Sequence, residues 1–140
     1  KDEFQWLGTR DPAAFLAVPA AIAFLRESLS AFRERGHKLA REFRERMSAL
    51  TGLGPPVADA EDSYGTMATA ALPAIDGEPP TGGKRDPLQD VLWERFRIEV
   101  PVVHWNGRRM LRTSWHLYND RADLNRLMEA LESLLAGGGI

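Results

Sequence analysis

The dipeptide Asn106-Gly107 is the sequence feature that most constrains the fold of this chain. It separates two runs rich in β-forming residues, 98–105 and 110–115. Both central residues of a type I′ turn need a positive φ angle, which Asn and Gly tolerate better than other residues. The sequence therefore predicts an antiparallel β-hairpin with a two-residue turn at this dipeptide.

The turn also sets the register of the two strands. With the dipeptide at the turn, Trp105 faces Arg108, and Arg112 lies opposite Pro101 on the same face as Met110. Pro101 has no N–H to donate to a sheet. We therefore expect the first strand to have a free side at this proline.

An apolar helical segment is predicted near the N-terminus. Asp11-Pro12 combines a capping carboxylate with a residue that suits the first helical turn. The apolar residues 13–25 predict a buried helix that Pro19 restarts. This run is shorter than the roughly 18–20 residues of a membrane span, so no membrane partner is expected.

Two further helices and a strand are predicted in the first half of the chain. Apolar residues three and four apart indicate an amphipathic helix that ends at Gly36. A second amphipathic helix is expected over 39–50, stopping near Gly52. The short run 67–72 is predicted to be a strand.

The second half of the chain contains two capped helices around the hairpin. Asp86-Pro87 repeats the signal of a carboxylate before a proline, for a helix that reaches Phe96. Asn119 or Asp120 caps a final helix that ends at a run of three glycines. These elements predict an α+β fold, a small antiparallel sheet with a β-hairpin and helices packed on one face.

Composition excludes several classes of function. The 140 residues include 18 Lys and Arg and 20 Asp and Glu, which give a formal net charge of −2. The net charge of the chain therefore does not favour binding to nucleic acid. There is no cysteine, which excludes disulfides, thiolate metal sites and a Cys nucleophile. Together with the lack of a secretory-signal pattern, this predicts a cytoplasmic protein.

The histidines do not predict a metal site. None of His37, His104 and His116 has the spacing of metal ligands relative to another histidine or a carboxylate. His104 and His116 could approach each other across the sheet. The alternative is that each is an ordinary hydrogen-bonded histidine.

Two polar positions are candidates for binding an anion. Gly8-Thr9 stands before a helix start, where backbone N–H groups and a hydroxyl suit a phosphate; an ordinary turn is the alternative. Arg112 is a lone cation in an otherwise apolar strand, which is costly unless it meets a carboxylate. That carboxylate could belong to the chain, as a buried ion pair, or to a ligand.

Two stretches of the sequence resemble a known family. Residues 4–12 and 14–22 read FQWLGTRDP and AFLAVPAAI, and residues 111–114 and 117–120 read LRTS and LYND. The residues of these segments, and the order of the segments along the chain, resemble those in the C-terminal part of class V aminotransferase-fold enzymes. Within that class, they resemble the isopenicillin N epimerase-like branch.

The resemblance implies a homodimeric enzyme that uses pyridoxal 5′-phosphate (PLP) and acts on an amino-acid substrate. It implies that Gly8 and Thr9 reach the cofactor phosphate of the other subunit, and that Arg112 binds the substrate α-carboxylate. None of the chain's three lysines matches the family's Schiff-base lysine, so no catalytic residue is expected here. Trp115 and His116 lie where branches of the family differ. They could bear on substrate choice, but we interpret them as packing residues.

We therefore expect a fragment of a larger enzyme, most like an epimerase or racemase. Transamination, β-elimination and desulfuration use the same apparatus and stay open as reaction types. Residues 1–53 would pack on the large domain and the dimer interface, and residues 54–140 would form the small domain. Part of the apolar helical surface and one face of the sheet would then be exposed. The alternatives are a stand-alone, non-catalytic α+β dimerisation module and a domain that binds a free amino acid at Arg112.

Overall fold

The structure is a computed structural model that describes residues 11–60, 62–75, 80 and 85–136. It confirms the α+β class. In chain order the elements are α1 (Ala13–Leu16), α2 (Val18–Arg26), α3 (Leu29–Thr51), β1 (Met67–Ala71), α4 (Pro87–Phe96), β2 (Val102–Trp105), β3 (Arg108–Ser114) and α5 (Arg121–Ala136).

The chain divides into two compact units, Lys1–Ala31 and Phe32–Ile140. Most of α3 therefore belongs to the second unit. The predicted division into residues 1–53 and 54–140 stays a prediction. The packing of residues 1–53 on a large domain also stays a prediction.

In the first unit, Asp11 accepts the N–H of Ala13 at 2.9 Å, and Pro19 lies in the first turn of α2, as predicted. The predicted burial of residues 13–25 is wrong. No residue of α1 or α2 is buried, and Phe24 is 68% exposed. Apolar content alone does not bury a helix, because burial also needs an opposing surface.

No single helix among the described residues is long and apolar enough to span a membrane. Ala13–Arg26 and Leu29–Thr51 satisfy the length and composition of a span only when taken together as a bent pair.

Helix α3 continues through Gly36, so the prediction that Gly36 ends a helix is wrong. The interruption lies earlier, at Glu27 and Ser28. A Cβ atom on Gly36 would lie 2.7 Å from Cγ2 of Thr66 and 3.3 Å from the carbonyl oxygen of Trp115. Glycine is therefore needed here because another part of the chain packs closely on the helix.

The three strands form an antiparallel sheet in the order β1-β3-β2. The hairpin prediction is confirmed: Trp105 pairs with Arg108, and φ is 50° at Asn106 and 70° at Gly107. The strand predicted over 67–72 is confirmed as β1, which pairs with the other side of β3.

Helices α3, α4 and α5 contribute to one core with a single face of the sheet. Asp86 caps α4 by accepting the N–H of Leu88 at 2.9 Å, and Asp120 accepts the N–H of Ala122 at 2.7 Å at the start of α5. The capping predictions for both helices are thus confirmed. The largest fully buried side chains are those of Phe43, Met47, Leu88, Leu92, Leu111, Leu124, Met128, Leu131 and Asp86.

Candidate functional site

Arg112 lies on the face of the sheet opposite the core, in the central strand β3. It pairs with Thr69 of β1, and its backbone N–H donates to the carbonyl of Pro101 at 3.0 Å, as the predicted register requires. Its side chain is exposed and has no hydrogen bond or ion pair with any described residue. The buried-ion-pair alternative for Arg112 is therefore wrong, because strand alternation places this cation where water solvates it.

A groove of about 490 Å³ opens beside Arg112 at the end of β3. The segment 97–101 between α4 and β2 forms a second part of its wall, and the first turns of α5 contribute a third. This volume lies in the range of small-molecule sites. The groove is the candidate binding site of the chain.

Two charged residues of the groove have protein partners. Arg126 donates to the carbonyl oxygen of Phe96 at 2.8 Å. Asp123 accepts the side-chain amide of Asn119 and the backbone N–H of Asp120, both at 3.2 Å. These bonds fix the start of α5 against the neighbouring segments.

The remaining charged residues of the groove are Arg97, Glu99 and Arg112. All three side chains are exposed, and no ion pair joins them to one another or to any other described residue. The guanidinium of Arg97 lies 5.5 Å from the ring centre of Trp93. Two cations against one carboxylate leave this part of the groove suited to an anion.

Two buried polar atoms belong to residues that line the groove. Oγ1 of Thr113 and Nε1 of Trp115 have no hydrogen-bond partner, although each residue is only 4% exposed. Buried polar atoms are usually paired, so these two atoms are exceptions within the described part of the chain. The burial of Trp115 also confirms its interpretation as a packing residue.

The buried cation of this sheet is Arg109, not Arg112. Its Nη2 and Nε donate to the two carboxylate oxygens of Asp86 at 2.6 and 2.8 Å, and His104 Nε2 lies 2.6 Å from Oδ2 of the same carboxylate. Burial raises the pKa of Asp86, but hydrogen bonds from Arg109 and the Leu88 N–H outweigh it and hold the pKa below its ordinary value. The sequence predicts only a capping role for Asp86. The hairpin register, which places Arg109 opposite His104 on the core face, was the available signal.

His104 and His116 do not approach each other as a pair. The ring of His116 lies 5.0 Å from that of Phe32 and 4.8 Å from that of Tyr118, whereas His104 binds Asp86. Within the described ranges, no group of three or more metal-ligating side chains comes together.

The described residues do not form a site for PLP itself. Gly8 and Thr9 lie outside the described residues, so their predicted phosphate contact stays a prediction. Of the described part of the chain, Lys38 is the one lysine, and its Nζ bonds to Glu34 at 2.6 Å on an exposed helix face. Such a lysine is solvated and paired, unlike one activated by desolvation for covalent chemistry.

Sequence comparison identifies relatives of this chain. It is 40% identical over 128 residues to isopenicillin N epimerase of Amycolatopsis lactamdurans and 32% identical over 128 residues to that of Streptomyces clavuligerus; each match covers 91% of this chain and 30% of the relative. A putative L-cysteine desulfhydrase of Oryza sativa subsp. japonica is 28% identical over 159 residues, which cover 97% of this chain and 32% of the relative. No protein-family model matches the sequence.

The chain thus spans about 30% of the length of the curated relatives it matches. The match to the putative L-cysteine desulfhydrase covers 97% of this chain and therefore overlaps both the N-terminal and the C-terminal stretches that carry the resemblance. The chain is homologous, over most of its length, to the C-terminal part of isopenicillin N epimerases and cysteine desulfhydrases, which have the class V aminotransferase fold.

Proposed function

We propose that this chain is the C-terminal, substrate-binding domain of a PLP-dependent enzyme that acts at the α-carbon of an amino acid. Its nearest functional type is an epimerase or racemase like isopenicillin N epimerase. The observation that carries the proposal is the position of Arg112, which lines a ligand-sized groove and has no partner among the described residues. A cation in this position is available to pair with the carboxylate of a ligand in the groove.

Arg112 binds and orients the α-carboxylate of the substrate. Its guanidinium has two parallel N–H groups that match the two oxygens of a carboxylate. The central strand β3 is hydrogen-bonded on both sides, so the backbone that carries Arg112 is held in place. Such positioning limits rotation of the α-carbon relative to the reacting groups.

PLP bound by the parent enzyme would supply an electron sink for the electron pair left when the α-carbon loses a proton. The Schiff-base lysine and the contacts to the cofactor ring are assigned to parts of the parent enzyme outside this chain. Gly8 and Thr9 are assigned to the cofactor phosphate of the other subunit in a homodimer.

The first unit supports the assignment of a large domain and a second subunit. Leu16, Ile22 and Phe24 are 74%, 49% and 68% exposed in α1 and α2. Several exposed apolar side chains close together on one pair of helices are typical of a surface that another protein surface covers. The alternative function, a stand-alone dimerisation module, would use the same surface, so an experiment must separate the two.

The separating experiment uses the product of the complete gene. Its intact mass is measured under denaturing conditions, its PLP content is assayed, and exchange of the amino-acid α-proton is followed in deuterium oxide. We expect a mass well above 15.6 kDa, bound PLP and α-proton exchange. A product of 15.6 kDa that binds no PLP would show that the stand-alone module is the correct function.

The variant Arg112→Gln tests the assigned residue in the same protein. It should lower kcat/KM for α-proton exchange by about 10²-fold or more, because a charge-assisted bidentate interaction is lost. Arg108→Gln is the matched control, since Arg108 is an exposed arginine of the same strand that does not line the groove. Equal activity of the two variants would contradict the role of Arg112.

A further inference from the structure

A second groove lies at the hairpin turn, at the other end of β3 from the groove beside Arg112. Its volume is about 570 Å³, which is in the range of small-molecule sites. We call it the turn groove. Its walls are the segment 53–56 after α3, the segment 71–75 from the end of β1 onward, and the hairpin residues 104 and 107–109. The two grooves share no lining residue.

Most of the wall of the turn groove is apolar. Its non-polar lining residues include Leu53, Pro55, Pro56, Leu72 and Ile75. Leu53 is 38% exposed, so this wall is accessible among the described residues. The two consecutive prolines have fixed φ angles, which restricts the movement of the wall. Such a wall favours a ligand with an apolar body, because binding removes apolar surface from water.

The arginines that line the turn groove are Arg108 and Arg109, and no acidic residue stands among its described lining residues. Arg109 is committed to Asp86 and to the carbonyl oxygen of Pro73. Arg108 is exposed and has no hydrogen bond or ion pair with any described residue. The guanidinium of Arg108 is therefore available to a carboxylate, which its parallel N–H groups match.

His104 contributes a polar group with a fixed orientation to the same groove. Its Nε2 lies 2.6 Å from Oδ2 of Asp86, whose side chain is fully buried. The His104 side chain is 20% exposed, and its Nδ1 has no hydrogen bond with a described residue. The bond to Asp86 holds the imidazole ring in place at the groove wall. The ring therefore presents one polar nitrogen to a bound ligand.

We infer that the turn groove binds a monocarboxylate with an apolar body. Arg108 binds the carboxylate, and the wall that contains the two prolines covers the apolar body. The inference goes beyond the proposed function and does not rest on it, because it uses neither Arg112 nor the groove beside that residue.

Binding of three probes to the 140-residue chain tests the inference. The probes are 4-phenylbutyrate, which has a carboxylate and an apolar body; its neutral amide, 4-phenylbutanamide; and acetate, which has a carboxylate alone. Calorimetry measures affinity, and NMR of arginine Nε–H and histidine ring signals locates the ligand. We expect 4-phenylbutyrate to bind at least about tenfold more tightly than either other probe, with shifts at Arg108 and His104.

Single substitutions assign the two kinds of contact. Arg108→Gln should reduce the affinity for 4-phenylbutyrate at least about tenfold, to that of the amide. Leu53→Ser should weaken binding of 4-phenylbutyrate and of the amide, and should leave acetate binding unchanged. Both residues are exposed, so the variants should stay folded, as the same NMR spectra check. Arg112→Gln, in the other groove, is the matched control and should change none of these affinities.

Three results would overturn the inference. Equal affinities for 4-phenylbutyrate and its amide would show that Arg108 contributes nothing to binding. Acetate that binds as tightly as 4-phenylbutyrate would show an ion contact in which the apolar wall has no role. A shift at Arg112 without one at Arg108 would place the ligand in the other groove. Each result leaves the proposed function standing, since α-proton exchange tests that function separately.

Discussion

Arg109 and Asp86 form a two-bond ion pair in the core, with Nη2 and Nε of the guanidinium 2.6 and 2.8 Å from the two carboxylate oxygens. Asp86 is 1% exposed and Arg109 is 4% exposed. The pair joins the start of α4 to the hairpin strand β3, and His104 adds a third group to the same carboxylate. The residue that caps a helix therefore also holds the helix against the sheet.

Removal of one member of this pair should destabilise the fold strongly. Arg109→Met leaves the Asp86 carboxylate buried and without its main partner, and we expect the free energy of unfolding to fall by about 3 kcal/mol or more. Urea unfolding followed by tryptophan fluorescence measures this loss. Arg108→Met, at the exposed neighbouring position, should change stability by less than about 0.5 kcal/mol. Similar values for the two variants would show that the pair contributes little.

The same carboxylate should make stability depend on pH. The folded-state pKa of Asp86 lies below its ordinary value of 3.8, so its ionised form stabilises the fold. This contribution is complete above the unfolded-state pKa and is lost as pH falls through 3.8 toward the folded-state pKa.

We therefore expect the urea midpoint to decrease as pH falls below about 4, and to do so less steeply in Asp86→Asn. The asparagine can still cap α4 but does not ionise, so residue 86 contributes no pH dependence to the stability of this variant. Urea titrations of both proteins between pH 3 and pH 6 provide the test. Parallel pH profiles would contradict a role for Asp86 ionisation.

Local signals predicted most of the second unit. The hairpin turn, the strand β1 and the caps at Asp86 and Asp120 each depend on a few neighbouring residues, and each is found. The hairpin register also placed Arg112 opposite Pro101, which brought one residue of the candidate site to its correct position. Burial of Arg109 and exposure of residues 13–25 depend on distant parts of the chain, so local patterns did not determine them.

The rest of the candidate site was not predictable for the same reason. Arg97 reaches the groove because of a left-handed helix end, and Asp123 and Arg126 reach it because α5 packs near the segment 97–101. No local pattern in the sequence predicts that these elements meet. Only the strand that carries Arg112 and Thr113 has a position fixed by a short-range turn.

The turn itself provides a test of that short-range control. Gly107 has φ 70°, and a Cβ there would have nothing within 4 Å, so Gly107→Ala introduces backbone strain without a steric clash. We expect a loss of about 1 kcal/mol in the free energy of unfolding. Asn106→Gly should lose less, because glycine also accepts a positive φ. Chemical denaturation measures both, and an unchanged stability of Gly107→Ala would contradict the turn geometry.

Gly36 provides a second test, at a position where glycine is required because there is no room for a side chain rather than because φ is positive. Gly36→Ala gains helix propensity of about 1 kcal/mol, but its Cβ would lie 2.7 Å from Cγ2 and 3.0 Å from Cβ of Thr66. Because Thr66 is β-branched and the Trp115 carbonyl lies 3.3 Å away, we expect the clash to outweigh that gain and give a net loss of about 1–2 kcal/mol. Gly54→Ala is the matched control, since its Cβ would meet nothing within 4 Å and its φ is not positive. Equal unfolding free energies for the two variants would show that α3 can move away from the segment that precedes β1.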